Sequence, residues 1–120
     1  MGKRVLYVDD EKKLVSLVEE FLGIFGHSVT GATSLEEALN IIEKNNFDLF
    51  LVDLYLKATQ ESGLNLIKEI LKKEPQAPIF LCSGYWEPDL EKEAKEMGAR
   101  GFIKKPIPLV ELASLLNRVC

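Results

Sequence analysis

Residues 4–10 read RVLYVDD, a short apolar run that ends at two adjacent acids, Asp9 and Asp10. An apolar run that does not alternate with polar residues is typical of a strand buried on both faces of a sheet. The pattern recurs at residues 49–53, LFLVD, and at residues 79–83, IFLCS, which end at an aspartate and a serine. We therefore expect buried strands that carry polar groups at their carboxyl ends.

Apolar residues at helical spacing fill the segments between these runs, for example over residues 14–25 and 35–42. Weaker strand signals lie at residues 28–32 and 101–103, and a last helical pattern follows Pro108. Strand and helix thus alternate five times. This order predicts an α/β fold, a three-layer sandwich with a five-stranded parallel sheet and five helices. For the strand order we expect 2-1-3-4-5, one of the common orders of such sheets, as in flavodoxin-like folds.

The composition is that of an ordinary globular protein, and we expect one domain over residues 1–120. The net charge of -4, with acids and bases interspersed, argues against a direct nucleic-acid-binding surface. No apolar stretch approaches ~20 residues, so we expect no segment that spans a membrane. Cys82 and Cys120 lie far apart, which favours a reducing cytosol over a disulfide framework. We expect a cytoplasmic protein.

The carboxyl ends of the predicted strands bring charged groups together. In an open parallel sheet, ligands bind beyond these ends, where the strand order reverses. Strands 1 and 3 are neighbours there, about 4.8 Å apart, so Asp10 and Asp53 can reach one cation, with Asp9 as a direct or water-mediated ligand. Clustered carboxylates favour a hard divalent cation, and we expect Mg2+. Lys105 follows strand 5, and its long stem can cross most of the roughly 10 Å to Asp53.

These groups suit the transfer of a phosphoryl group to an aspartate. Asp53 is ionised at neutral pH and needs no base, and a cation offsets its repulsion from an incoming phosphoryl dianion. The Ser83 hydroxyl can donate to a phosphoryl oxygen, and the Lys105 ammonium can neutralise one. The predicted chemistry is the transient formation of an aspartyl phosphate.

Over essentially its whole length the chain resembles a response-regulator receiver domain of two-component signalling. The resemblance implies a phosphoacceptor signalling domain in which Asp53 receives the phosphoryl group from a histidine kinase, a phosphotransfer protein or a small phosphodonor. It also implies a downstream protein or output domain that responds to the modification. The matching residues are the acidic pair 9–10, Asp53, residues 83–84 (Ser-Gly) and residues 98–106, GARGFIKKP.

The resemblance also assigns the metal ligands. It implies that Asp10 is a direct Mg2+ ligand and that Asp9 assists. Together with Asp53, the backbone carbonyl of Tyr55 then completes the set. These assignments are expectations that follow from the family pattern and not from the spacing of the residues.

Ser83 and Lys105 resemble the family residues that bind the phosphoryl oxygens. Lys104 is a competitor, but Lys105 is the residue that precedes Pro106, and this dipeptide resembles the family's cis peptide. Phe102 occupies the family's aromatic switch position, where tyrosine is common. Because phenylalanine has no hydroxyl, coupling between Ser83 and Phe102 is expected to depend on packing alone.

The segment after Asp53 departs from the family pattern. Receivers usually carry a proline four residues after the phosphoacceptor and a glycine four residues later. Here Lys57 stands at the proline position, and Gly63 comes two residues late. We therefore expect a longer, polar and mobile loop over residues 57–62.

Two alternatives stay open beside the phosphoacceptor. A degenerate receiver would keep the fold and act as a phosphorylation-independent protein-binding module. An aspartate-nucleophile phosphatase uses similar groups, but its pattern separates two aspartates by one residue on the first strand, whereas Asp9 and Asp10 are adjacent. We expect no turnover enzyme, only a domain that promotes its own phosphorylation and dephosphorylation. A stand-alone protein and part of a longer regulator are both compatible with the sequence.

Overall fold

The computed structural model describes residues 2–54, 60–84, 88–105 and 108–119. None of the described helices is both long and apolar enough to cross a membrane. Strands and helices alternate along the chain, as the sequence predicts. Their bounds are β1 Arg4–Val8, α1 Lys12–Ile24, β2 Ser28–Ala32, α2 Leu35–Lys44, β3 Leu49–Asp53, α3 Gln60–Lys73, β4 Ile79–Ser83, α4 Pro88–Met97, β5 Gly101–Lys104 and α5 Leu109–Val119.

The five strands form one parallel sheet in the order β2-β1-β3-β4-β5, which confirms the predicted topology. Val8 pairs with Val52, Val52 with Leu81, and Leu81 with Phe102, so the strands end close to the same edge of the sheet. The chain moves outward from β1 to β2 in one direction and from β3 to β5 in the other. The carboxyl ends of β1 and β3 therefore flank the crevice at which such sheets bind ligands.

Apolar clusters cover both faces of the sheet. On one face, residues such as Leu6 and Leu81 pack against α2, α3 and α4. On the other face, residues such as Tyr7 and Leu51 pack against α1 and α5. All of β3 is buried, and β1 is buried after its first residue, whereas β5 at the sheet edge is only half-buried. The continuous apolar runs of the sequence are thus the strands with covered faces.

Local signals in the sequence explain where several helices begin and end. The Ser34 hydroxyl accepts a hydrogen bond from the Glu37 backbone N–H at 3.1 Å, and the Glu37 carboxylate accepts one from the Thr33 N–H at 2.7 Å. These bonds resemble a capping box at the start of α2, except that Glu37 accepts from Thr33, the residue before the N-cap Ser34. Gly26 and Gly98 follow α1 and α4 with φ of 86° and 116°, a conformation that glycine adopts without strain.

The polar loop predicted to reach Ser62 is partly wrong, because α3 already begins at Gln60. Glutamine and glutamate are good helix formers, and this preference outweighs the polarity that suggested a loop. Gly63 brings the helix close to the end of β3. A Cβ atom on Gly63 would lie 2.6 Å from the Asp53 carbonyl oxygen and 2.7 Å from that of Leu54, so a side chain there would push the helix away.

Candidate functional site

Three carboxylates meet in the crevice between β1 and β3. Asp9 and Asp10 follow β1 directly, and Asp53 is the last residue of β3. One oxygen atom from each of the three carboxylates lies within 4.8 Å of the others. Asp9 and Asp53 are buried, whereas Asp10 is exposed at the mouth of the crevice. Buried acids at this density require positive charge or hydrogen-bond donors beside them.

Lys105 supplies positive charge to this cluster. Its Nζ lies 2.5 Å from Asp9 Oδ2 and 3.3 Å from Asp53 Oδ2. Burial lowers the pKa of Lys105, but the hydrogen bond to Asp9 and the charge of Asp53 outweigh this effect, so the pKa lies above its ordinary value. The Lys105 backbone N–H donates to the Ser83 carbonyl at 2.8 Å, while the side chain of neighbouring Lys104 is exposed. The structure thus brings Lys105, and not Lys104, into the crevice.

Asp9 is held by hydrogen-bond donors on both of its carboxylate oxygens. The Tyr7 hydroxyl donates to Oδ2 at 2.7 Å, and the Glu11 backbone N–H donates to Oδ1 at 3.0 Å. The Asp9 backbone N–H donates in turn to the Ala32 carbonyl of β2 at 3.0 Å. Burial and the hydrogen bond to Asp9 raise the pKa of Tyr7, so the hydroxyl keeps its proton and remains a donor.

The sequence prediction places Tyr7 in an apolar run and assigns it no part in the site. A signal for its contact with Asp9 is nevertheless present in the sequence. Residues two apart on a strand point to the same face, and a buried tyrosine hydroxyl usually has a hydrogen-bond partner. Tyr7 therefore combines two functions, since its ring belongs to the apolar cluster under α1 and α5 and its hydroxyl reaches the acidic crevice.

The side chains of Ser83 and Phe102 lie on the face of the sheet opposite to that of Tyr7. Ser83 is the buried last residue of β4, and Phe102 packs against the apolar cluster that includes Leu81. Leu81 pairs with Phe102 in the sheet register and is two residues from Ser83, so all three share a face. The half-buried Phe102 ring can thus be coupled to the end of β4 by packing.

Cys82 is next to Asp53 in the sheet register and is fully buried. Burial, and then the negative charge of Asp53, raises the pKa of the Cys82 thiol above its ordinary value. The thiol is therefore protonated at neutral pH. It lacks the thiolate character that a nucleophile or a metal ligand requires.

The donor set of the crevice fits a hard divalent cation. Carboxylate oxygens are the ligands that Mg2+ takes from proteins, and here three come from separate residues. Within the described residues, this cluster is a group of three acids spaced to hold a metal ion. Four further residues named from the sequence, Tyr55, Lys57, Pro106 and Cys120, lie outside the described part of the chain.

Comparisons with known proteins agree with this fold. A family model for the response regulator receiver domain matches residues 5–117. The chemotaxis protein CheY of Thermotoga maritima is 33% identical over 120 residues, a match that covers 99% of this chain and 98% of CheY. The response regulator protein PilR of Pseudomonas aeruginosa is 32% identical over 114 residues, and the match covers 95% of this chain but 25% of PilR.

Solved structures show the same similarity in three dimensions. The chemotaxis protein CheY4 of Vibrio cholerae superimposes with a TM-score of 0.90 at 27% identity, over 100% of both chains. The receiver domain of NtrX from Brucella abortus superimposes with a TM-score of 0.85 at 31% identity, over 96% of both chains. The similarity thus extends to short proteins of this length and to one part of longer regulators.

Proposed function

We infer that this chain, which belongs to the response regulator receiver domain family, accepts a phosphoryl group on Asp53 and thereby switches a partner-binding surface. One observation carries the proposal. Asp53 ends a central strand with the Lys105 ammonium 3.3 Å from its carboxylate and with two further carboxylates in the same crevice. This arrangement places a nucleophile, a cationic partner for a phosphoryl oxygen and a set of metal ligands side by side.

The Asp53 carboxylate is the nucleophile in the proposed reaction. One of its oxygens attacks the phosphorus atom of a phosphohistidine or of a small acyl phosphate, and a P–O bond forms to the aspartate. The bond from phosphorus to the donor nitrogen or oxygen breaks, and the leaving group keeps the electron pair. Because an ionised carboxylate already carries the attacking electron pair, the reaction requires no base.

Asp10 and Asp53 are the proposed direct ligands of Mg2+, with Asp9 assisting. A bound divalent cation neutralises phosphoryl charge and offsets its repulsion from the carboxylates. The exposed position of Asp10 gives the crevice an anionic mouth toward solvent. The buried Asp9 already accepts hydrogen bonds on both oxygens, which suits it to an assisting position. The Tyr55 carbonyl remains the proposed further donor.

Lys105 and Ser83 are the proposed ligands of the phosphoryl oxygens. The Lys105 ammonium moves from the carboxylates onto one phosphoryl oxygen, and the Ser83 hydroxyl donates to another. Phe102 shares the face of Ser83 and packs against the apolar cluster that includes Leu81, so a shift at the end of β4 can pass to the ring through this packing. The surface around β5 is then the part of the molecule that changes.

A histidine kinase or phosphotransfer protein is the proposed source of the phosphoryl group, and a downstream protein or output domain is its proposed reader. We place the domain in the cytoplasm, without direct contact to nucleic acid. The chain spans nearly all of CheY but about a quarter of PilR, so a free-standing regulator and one domain of a larger protein are both compatible with these matches.

Intact-mass spectrometry after incubation with acetyl phosphate and Mg2+ tests this function. We expect one phosphoryl adduct per chain, which requires Mg2+ and is absent from Asp53→Asn. Asp48→Asn is a matched control, since this acid precedes β3 and accepts a hydrogen bond from the Arg4 N–H away from the crevice. Its adduct is expected to persist.

Other outcomes of this experiment would favour the alternatives. A folded wild-type chain that gains no adduct at any time would favour a degenerate receiver that binds partners without phosphorylation. Repeated hydrolysis of excess acetyl phosphate would favour a phosphatase, because a receiver stops near one phosphoryl group per chain and releases it slowly.

A further inference from the structure

Tyr7 is buried in the crevice, but the phosphoryl transfer proposed above does not use it. Its hydroxyl lies 2.7 Å from Asp9 Oδ2, and the Lys105 Nζ lies 2.5 Å from the same oxygen. Two donors thus share one oxygen of a carboxylate that is fully buried. The second Asp9 oxygen accepts from the Glu11 N–H at 3.0 Å.

This sharing matters because Lys105 has two competing partners. When its ammonium moves onto a phosphoryl oxygen at Asp53, Asp9 loses its ion pair with Lys105. A buried carboxylate that loses its partner is strongly destabilised unless other donors remain. The Tyr7 hydroxyl remains on the oxygen that Lys105 leaves, because it belongs to β1 and does not depend on the lysine.

We propose that Tyr7 is a positioning residue that keeps the Asp9 carboxylate hydrogen-bonded while Lys105 changes partners. The hydroxyl thereby weakens the hold of Asp9 on the lysine and makes the ammonium available to the phosphoryl group. This proposal rests on Asp53 as the phosphoacceptor. Without the hydroxyl, Lys105 stays with Asp9, and the phosphoryl group binds in a crevice that lacks its cation.

The substitution Tyr7→Phe tests this proposal because it keeps the ring and removes one oxygen atom. The probe is beryllofluoride with Mg2+, an analogue of the phosphoryl group, and its affinity is measured by isothermal titration calorimetry. We expect about tenfold weaker binding by Tyr7→Phe, the order of effect of one lost hydrogen bond to a buried charged group. Equal affinity in wild type and Tyr7→Phe would overturn the proposal.

Two further backgrounds separate this function from a merely structural one. In Lys105→Met there is no lysine to release, and in Asp9→Asn there is no carboxylate to retain it. Tyr7→Phe is therefore expected to change the affinity by less than about twofold in either background. The same tenfold loss in all backgrounds would mean that Tyr7 acts through general packing, and the proposal would be wrong.

A direct view of the lysine completes the test without a substitution at Lys105. In nitrogen-15 spectra, beryllofluoride is expected to shift the Lys105 ammonium signal in wild type and to shift it less in Tyr7→Phe. An identical shift in both chains would contradict the proposal. If wild type itself neither binds beryllofluoride nor gains a phosphoryl adduct, the proposed function fails together with this inference, whereas failure of Tyr7→Phe to differ affects this inference alone.

Discussion

The crevice is built from two unlike halves, one at the centre of the sheet and one at its edge. In the β1 half, Tyr7 and Asp9 are fully buried, and the strand pairs with β2 on one side and β3 on the other. In the β5 half, Phe102, Ile103 and Lys105 are only partly buried, and the strand pairs with β4. A cleft of about 230 Å³ between β5 and α5, lined in part by Phe102 and Ile103, adds to this looser packing.

This difference suits the phosphorylation switch proposed above. Tyr7 and Asp9 form a fixed set of donors and acceptors, because neighbours on both sides hold their strand. In the proposed switch, Lys105 and Phe102 are the groups that move, and they lie on or directly after β5, the strand at the edge of the sheet. Segments with fewer buried contacts open at a lower free energy than the core, so an edge strand suits the moving half.

The largest expected effect comes from truncating one apolar residue in each half. Leu6→Ala in β1 is expected to lower the free energy of unfolding by about 3 kcal/mol, because this fully buried side chain leaves a cavity. Ile103→Ala in β5 is expected to cost about 1 kcal/mol, because the residue is half-buried beside an open cleft. Urea unfolding measures both, and equal losses would contradict the difference between the halves.

The next largest effect is expected from the removal of Lys105, the lysine that joins the two halves. Lys105→Met leaves Asp9 and Asp53 buried without their cation, and we expect a loss of about 2 kcal/mol in the free energy of unfolding. The loss should shrink when Mg2+ is added, since a divalent cation also offsets the carboxylate charges. Urea unfolding in EDTA and in Mg2+ measures both values.

Lys104→Met is the matched control for this substitution. The side chain is exposed and adjacent in sequence, so its removal should change stability by no more than about 0.5 kcal/mol. If both lysine variants lose the same amount, the ion pairs in the crevice contribute nothing, and the link between the two halves lies elsewhere.

Most of the fold and the position of the crevice could be predicted from the sequence. Unbroken apolar runs identified the central strands, and acids at the ends of β1 and β3 placed the crevice where the strand order reverses. These features depend on local patterns and on the topology of parallel sheets, which a single sequence contains. The family predicted from the same motifs is also the one that the comparisons show.

The partners inside the crevice could not be predicted in the same way. The sequence placed Lys105 opposite Asp53, whereas its shorter contact is with Asp9, at 2.5 Å against 3.3 Å. Strand positions determine which groups are neighbours, but side-chain conformations decide which hydrogen bonds form. The start of α3 at Gln60 was missed for a related reason, since polarity in a short segment does not distinguish a loop from the first turn of a helix.

The pH dependence of the free energy of unfolding measures the contribution of the Tyr7 hydroxyl in the β1 half. Burial, followed by the hydrogen bond to Asp9, raises the pKa of Tyr7 above its ordinary value of 10.0. The hydroxyl therefore stabilises the fold fully below that pH, and this contribution is lost as the pH rises, because the unfolded chain releases the proton while the folded chain keeps it. Wild type is expected to lose about 1.4 kcal/mol more than Tyr7→Phe between about pH 8 and pH 11.

Urea unfolding of both chains at each pH gives this difference. The raised pKa values of Cys82 and Lys105 also reduce stability at high pH, and they do so in both chains. Parallel curves for wild type and Tyr7→Phe would show that the hydroxyl of Tyr7 is not held by the fold, and the β1 half would then be less rigid than its burial indicates.

The smallest expected effect comes from the β5 half, where Phe102→Tyr adds the hydroxyl group that Tyr7→Phe removes from the β1 half. Phe102→Tyr adds a hydroxyl to a half-buried ring on the edge strand, where the new group can reach water. We expect the free energy of unfolding to change by no more than about 0.5 kcal/mol, as for other substitutions at incompletely buried positions. Urea unfolding of Phe102→Tyr and of Leu6→Ala under the same conditions measures this change. A loss as large as that of Leu6→Ala would mean that the Phe102 ring is packed as tightly as β1, and a ring held so firmly could not serve as the moving part of the switch.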